Sequence, residues 1–112
     1  MPEFAFSIPV VHGKEELDRR TLDEMLGDRR DDYEAALKSA GITRQTIWHQ
    51  ETPQGTVAVV YVEGDDPEAG MARFASSHDD LNSWFRELMK EVHGVDISQA
   101  EVRATKVHDI QL

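Results

Sequence analysis

The sequence predicts an α+β domain whose elements alternate as strand, helix, strand, strand, helix, strand. Three observations lead there. The stretch Thr56–Glu63, TVAVVYVE, is the longest unbroken β-branched and aromatic run and reads as a central strand. Apolar residues recur at three- and four-residue spacing in a region before it and a region after it. Gly, Pro and Asp cluster where those patterns change.

Phe4–Val11 sets Phe4, Phe6, Ile8 and Val10 on one side of a first strand, with Pro9 predicting a bulge or the end of regular pairing near Ile8. From Glu15 to Ala40 the pattern is helical, with Leu17, Met25, Leu26, Tyr33, Ala36, Leu37 and Ala40 close to one stripe. Gly27 interrupts it, so a kink or a junction of two helices is expected there, and Gly41 suits a C-terminal cap. Arg44–Glu51 forms a second strand, joined to the central strand by the turn Thr52-Pro53-Gln54-Gly55.

Past the central strand, Asp66 is the expected N-cap of a helix with Pro67 at its first position. Ser76 and Ser77 break that helix, and Ser77 is placed to cap a second segment in which Leu81, Trp84, Phe85, Leu88 and Val92 form an apolar face. Gly94 closes this segment, and Ala100–Val107 supplies a weaker fourth strand alternating Val102 and Ala104 with Glu101 and Arg103. The order is that of the ferredoxin-like βαββαβ fold: a four-stranded antiparallel sheet with both helical layers on one face.

In the central strand Val57, Val59 and Tyr61 point one way while Ala58, Val60 and Val62 point the other, so both faces are apolar. Helices cover one face. A second copy of the chain is the economical cover for the other, and a homodimer is expected.

At 112 residues the chain is a single domain, 1–112, large enough to fold on one hydrophobic core. It contains no Cys, which removes disulfides, thiolate metal sites and a Cys nucleophile. The opening residues Met-Pro-Glu-Phe-Ala-Phe lack the pattern of a secretory signal, and no apolar run is long enough to span a bilayer. A cytoplasmic protein without a membrane segment is therefore expected. A net charge of -10 with no basic stripe argues against nucleic acid as a partner.

Across nearly its whole length the chain resembles the dimeric α/β-barrel superfamily. The similarity is carried by Val11-His12-Gly13-Lys14, Asp28-Arg29-Arg30-Asp31-Asp32-Tyr33-Glu34, Gly41-Ile42-Thr43 and Trp48-His49-Gln50-Glu51-Thr52-Pro53-Gln54-Gly55, then by Tyr61-Val62-Glu63-Gly64-Asp65-Asp66-Pro67, Trp84-Phe85 and His93-Gly94-Val95-Asp96. Its small members include the antibiotic-biosynthesis-type monooxygenases, and the local phrasing is closer to an uncharacterised bacterial branch near them. The resemblance implies a cavity between sheet and helices and, for an enzyme, oxygenation or isomerisation of a small aromatic or carbonyl compound without a bound cofactor. The Asn, Trp and His constellation of the haem-degrading members does not map onto this chain.

Six residues are candidates for such a site. His49 or His78 could take a proton from the substrate as general base. Arg30 and Tyr33, three apart on one helix face, could hold the resulting anion. Tyr61 and Trp84 could form the wall. Each has a plainer reading: His49 as a surface or interface residue, Arg30 paired with Glu34 or Asp31, Trp84 and Phe85 as core, and Trp48 as core or pocket wall. The five histidines, His12, His49, His78, His93 and His108, include no His-x-x-x-His pair for a metal. The alternative to an enzyme is a non-catalytic dimer that binds a metabolite or another protein.

Overall fold

The computed structural model describes residues 2–100 and 102–112. Strand β1 (Glu3–Pro9) is followed by helices α1 (Glu15–Leu26) and α2 (Arg30–Ser39), strands β2 (Ile42–Thr52) and β3 (Gly55–Gly64), and helices α3 (Pro67–Ser76) and α4 (Asp80–His93). The three strands form an antiparallel sheet in the order β1-β3-β2, so the β-branched run is central.

Register fixes the two faces. Phe4, Phe6 and Ile8 lie opposite Val62, Val60 and Ala58, while Gln45, Ile47 and His49 of β2 align with the same three residues. These positions form the inner face, and all four helices pack on it. The outer face carries Ala5, Ser7, Thr46, Trp48, Val57, Val59 and Tyr61. Trp48, expected in a core or a pocket wall, is 52% exposed there, because β2 is an edge strand whose outward residues meet no second layer.

Both helical regions divide where glycine or serine breaks the pattern. Gly27 separates α1 from α2, and the N–H groups of Gly27 and Arg29 both return to the carbonyl of Glu24. Asp66 caps α3 by accepting from the Ala69 N–H at 3.3 Å, with Pro67 opening the helix. The cap of α4 is Asp79, whose Oδ1 accepts from the Asn82 N–H at 2.9 Å; Ser77, expected in that role, instead donates its hydroxyl to Asp79 Oδ2 at 2.6 Å. A carboxylate two residues nearer the helix displaces the serine. The break is closed by Arg86, which donates to the carbonyls of Ala75 and Ser77 at 2.8 and 2.7 Å.

The fourth strand expected over Ala100–Val107 is absent among the described residues; Glu101 lies outside them. Residues 102–107 run beside β1 without joining its ladder. Their polar residues, Arg103, Thr105 and Lys106, leave only Val102 packed on the core. The order β1-β3-β2 consequently leaves β1 as a second edge.

Close packing of α3 on the α2–β2 junction depends on Gly70. A Cβ there would meet the Ala40 carbonyl oxygen at 2.7 Å and Ile42 Cγ1 at 3.2 Å. Arg73, one turn on, donates to the same carbonyl at 2.8 Å and so satisfies the end of α2. Gly70→Ala is expected to cost about 1–3 kcal/mol by overpacking, measured as a lower urea midpoint with unchanged slope.

Candidate functional site

Helix α1 buries Asp18, Thr21 and Met25, a spacing of three and four that puts all of them on its inward stripe. Asp18 is the exception in chemistry. Its residue is 2% exposed, and its Oδ2 lies 2.7 Å from Nε2 of His49 on the inner face of β2. A buried carboxylate costs several kcal/mol of lost hydration unless it is paired and hydrogen-bonded, so His49 is what makes Asp18 tolerable in this position. When Nε2 carries the proton and donates to Asp18, the lone pair lies on Nδ1. That nitrogen is buried and has no hydrogen-bond partner among the described residues.

Two hollows flank this pair. An inner cavity of about 350 Å³ lies between sheet and helices, lined by Phe4, Phe6, Met25, Val60, Phe74 and Phe85 among other apolar side chains, with Asp18 and Tyr33 also in its wall. An outer cleft of about 630 Å³ opens between α1, α2 and the β2 edge and takes in His49, Arg30 and Tyr33. Leu22, Tyr33, Gln45 and Ile47 line both spaces and form the partition. The Asp18–His49 bond crosses it, with the carboxylate on the inner side and the imidazole on the outer. A sealed void of the inner cavity's size would cost about 8 kcal/mol by the penalty measured for emptied cores, comparable to the entire stability of a domain at about 5–15 kcal/mol. Such a space is sustained by an occupant or by access to solvent.

Tyr33 sits in the partition with its hydroxyl hydrogen-bonded to Gln45 Oε1, and Gln45 Nε2 in turn lies 3.5 Å from Met71 Sδ. Its ring packs edge-on against Phe74 at 6.2 Å. Burial pushes the Tyr33 phenol up to about 12, so it remains a proton donor at any physiological pH. His93, at the end of α4, also lines the inner cavity and is held by a 2.8 Å hydrogen bond between its Nδ1 and the Pro9 carbonyl.

Of the six residues singled out by sequence, His49, Arg30 and Tyr33 come together at the outer cleft. Arg30 is exposed and pairs with Glu34 at 3.4 Å. The other three lie elsewhere. His78 is exposed in the α3–α4 connection and lines neither space. Trp84 is half-buried on α4 and carries the Arg29 guanidinium 3.9 Å above its ring. Tyr61 is on the outer face, where it donates to the carboxylates of Glu3 and Glu63 at 2.9 and 2.7 Å; these hold its phenol well above the usual range. Asp18 and Gln45 were not anticipated. For Asp18 the signal was present in the sequence: a carboxylate at i in the i, i+3, i+7 stripe that ends at Met25.

Among the described residues no three His, Asp or Glu side chains gather as a metal site, and no helix is long and apolar enough to cross a membrane. Comparisons with protein-family models, curated proteins and solved structures gave no match.

Two measurements follow from the pair and the phenol. His49→Ala strands the Asp18 carboxylate and is expected to cost about 3–5 kcal/mol, whereas Asp18→Leu combined with His49→Leu should recover most of that loss. Urea unfolding of the single and double variants checks this. Because folding favours the neutral Tyr33 phenol, the stability it lends is complete below its ordinary value of 10.0 and is lost as pH rises from there to about 12. Tyr33→Phe should flatten that alkaline limb of the stability curve.

Proposed function

We propose that the protein is a homodimer of the dimeric α/β-barrel type, and that its inner cavity binds a small aromatic or carbonyl compound and moves a proton on it without a bound cofactor. The observation that carries the reading is the buried Asp18 carboxylate in the wall of a largely apolar cavity, with a buried phenol in the same wall. A carboxylate with a hydroxyl donor in an apolar pocket is a known solution to abstracting a proton next to a carbonyl: the base takes the proton and the donor stabilises the oxyanion. Here Asp18 is the base and Tyr33 the donor, its one hydroxyl proton turning from Gln45 Oε1 to the substrate oxygen. His49, holding the far carboxylate oxygen at 2.7 Å, acts as a positioning residue that keeps Asp18 aimed. In an isomerisation the proton returns to a second carbon of the same substrate; in an oxygenation the carbanion passes its electrons to dioxygen, which is then the co-reactant.

The dimer rests on the outer face. Trp48, Val59 and Tyr61 are aligned neighbours or next neighbours on β2 and β3, and a half-exposed tryptophan beside valines is a surface that a second sheet can cover. Within this reading a four-stranded ferredoxin-like sheet is the complete form of the domain. A non-catalytic metabolite-binding dimer is favoured by one feature, the burial of His49 Nδ1 away from solvent and from any partner among the described residues, which suits a structural brace as well as a positioning residue.

Turnover separates these two readings. Phenols, quinols and cyclic ketones are screened by oxygen uptake and by exchange of the acidic C–H in deuterated water. With an active compound, Asp18→Asn is expected to lower the rate by about 10²–10⁴ while leaving binding within a small factor. An unchanged rate removes Asp18 from the chemistry, and the absence of turnover with retained binding supports the non-catalytic dimer. For the assembly, Trp48→Glu should convert a sedimenting dimer to monomer; a wild-type protein that sediments as a monomer at tens of micromolar contradicts the dimer.

A further inference from the structure

The inner cavity lies between sheet and helices, and at the β1 edge the segment that follows α4 also lines it. Ala100, Val102 and Arg103 line the cavity there. Between this segment and β1 lies a gap of about 490 Å³, bounded by Phe6, Ser7, Ile8 and Pro9 on one side and by residues 100 and 102–104 on the other. The segment runs antiparallel to β1: Val102 lies by the Phe6–Ile8 end, and Lys106 reaches Glu3 at the other, Nζ to Oε1 3.0 Å. Among the described residues no strand pairs with the free edge of the strand it faces.

We propose that residues 102–106 are a strap that closes the inner cavity by zipping onto β1 as a fourth strand, and that it opens to admit and release the ligand. The proposal rests on the inner cavity being the binding site. One register meets the sequence pattern: Val102 opposite Phe6 and Ala104 opposite Phe4 put both apolar side chains on the inner face and turn Arg103 outward opposite Ala5. That register keeps the exposed Arg103 on the solvent side and satisfies the edge of β1. The Lys106–Glu3 ion pair already holds the far end near this alignment, so closure needs only the gap to shut. An apolar occupant favours the closed form, because the strap then buries apolar surface against it rather than against an empty space.

The test is a disulfide across the closed register. Directly opposed residues of an antiparallel pair have Cβ atoms at about the span a disulfide needs, and the chain has no other cysteine. Ala5→Cys with Arg103→Cys is oxidised in the free protein and in protein saturated with naphthol as a neutral aromatic probe. The expected result is an intramolecular bond that forms about tenfold faster with naphthol, after which naphthol leaves about tenfold more slowly until a reductant is added. No intramolecular bond under either condition, or one that leaves naphthol release unchanged, overturns the strap. A bond between two chains assigns the segment to a second copy and also overturns it. Hydrogen exchange on the unmodified protein is the second measurement: amides of 102–106 should gain protection on naphthol binding, and exchange at the free-chain rate throughout contradicts closure. If naphthol does not enter the cavity, gating fails with the binding reading, while cross-linking of the free protein still shows whether the segment pairs with β1.

Discussion

The bond between the Asp18 carboxylate and the His49 imidazole fixes the rest of the arrangement. It ties the first turn of α1 to the inner face of β2 across 31 residues of sequence, and it does so from the interior, where an ion is expensive. Two leucines in these positions would hold helix to strand at lower cost in desolvation. A carboxylate that persists under that penalty, on a cavity wall, is where a chemical role is the natural explanation. Removing the pair would also alter Tyr33 and Gln45, which stand in the same partition.

The sheet is asymmetric in a way that follows from its central strand. Val62 is fully buried and Ala58 and Val60 nearly so, beneath the helices, while Val57, Val59 and Tyr61 on the opposite side are only partly covered. The covered face is not tightly filled. Aromatic rings at its centre, Phe4 against Phe6 and Phe74 against Phe85, contact one another at 5.5 and 6.1 Å and leave the cavity between them. Large flat side chains arch over space more readily than branched aliphatic ones fill it. Apolar surface is thus distributed in two places, one inside and open to a small molecule, one outside and open to another sheet.

Where local chemistry decides a feature, the sequence was sufficient. Gly27 marked the α1–α2 junction, Asp66-Pro67 the start of α3, Gly94 the left-handed end of α4, and the alternation of Thr56–Glu63 the central strand with its two apolar faces. Features that depend on what lies opposite were less legible. The side of the sheet that Trp48 or Tyr61 meets is set by register, and a one-residue shift would have exchanged them with Ile47 and Val60. Asp18 was hidden for a different reason. Charged residues surround it at Glu15, Glu16, Arg19 and Arg20, and only the spacing to Thr21 and Met25 distinguishes the buried member from its exposed neighbours. The weak alternation over Ala100–Val107 predicts a strand, but with the cavity empty two apolar positions do not outweigh the loss of chain entropy on pairing.

The central claim is most directly tested by the tautomer and proton of His49, read from nitrogen and proton NMR of the imidazole ring. The account predicts a slowly exchanging, strongly downfield proton on Nε2, lost in Asp18→Asn. A proton on Nδ1 with Nε2 bare, or an Nε2 proton that exchanges freely with water, would contradict the Asp18–His49 bond and with it the assignment of Asp18 as a positioned base.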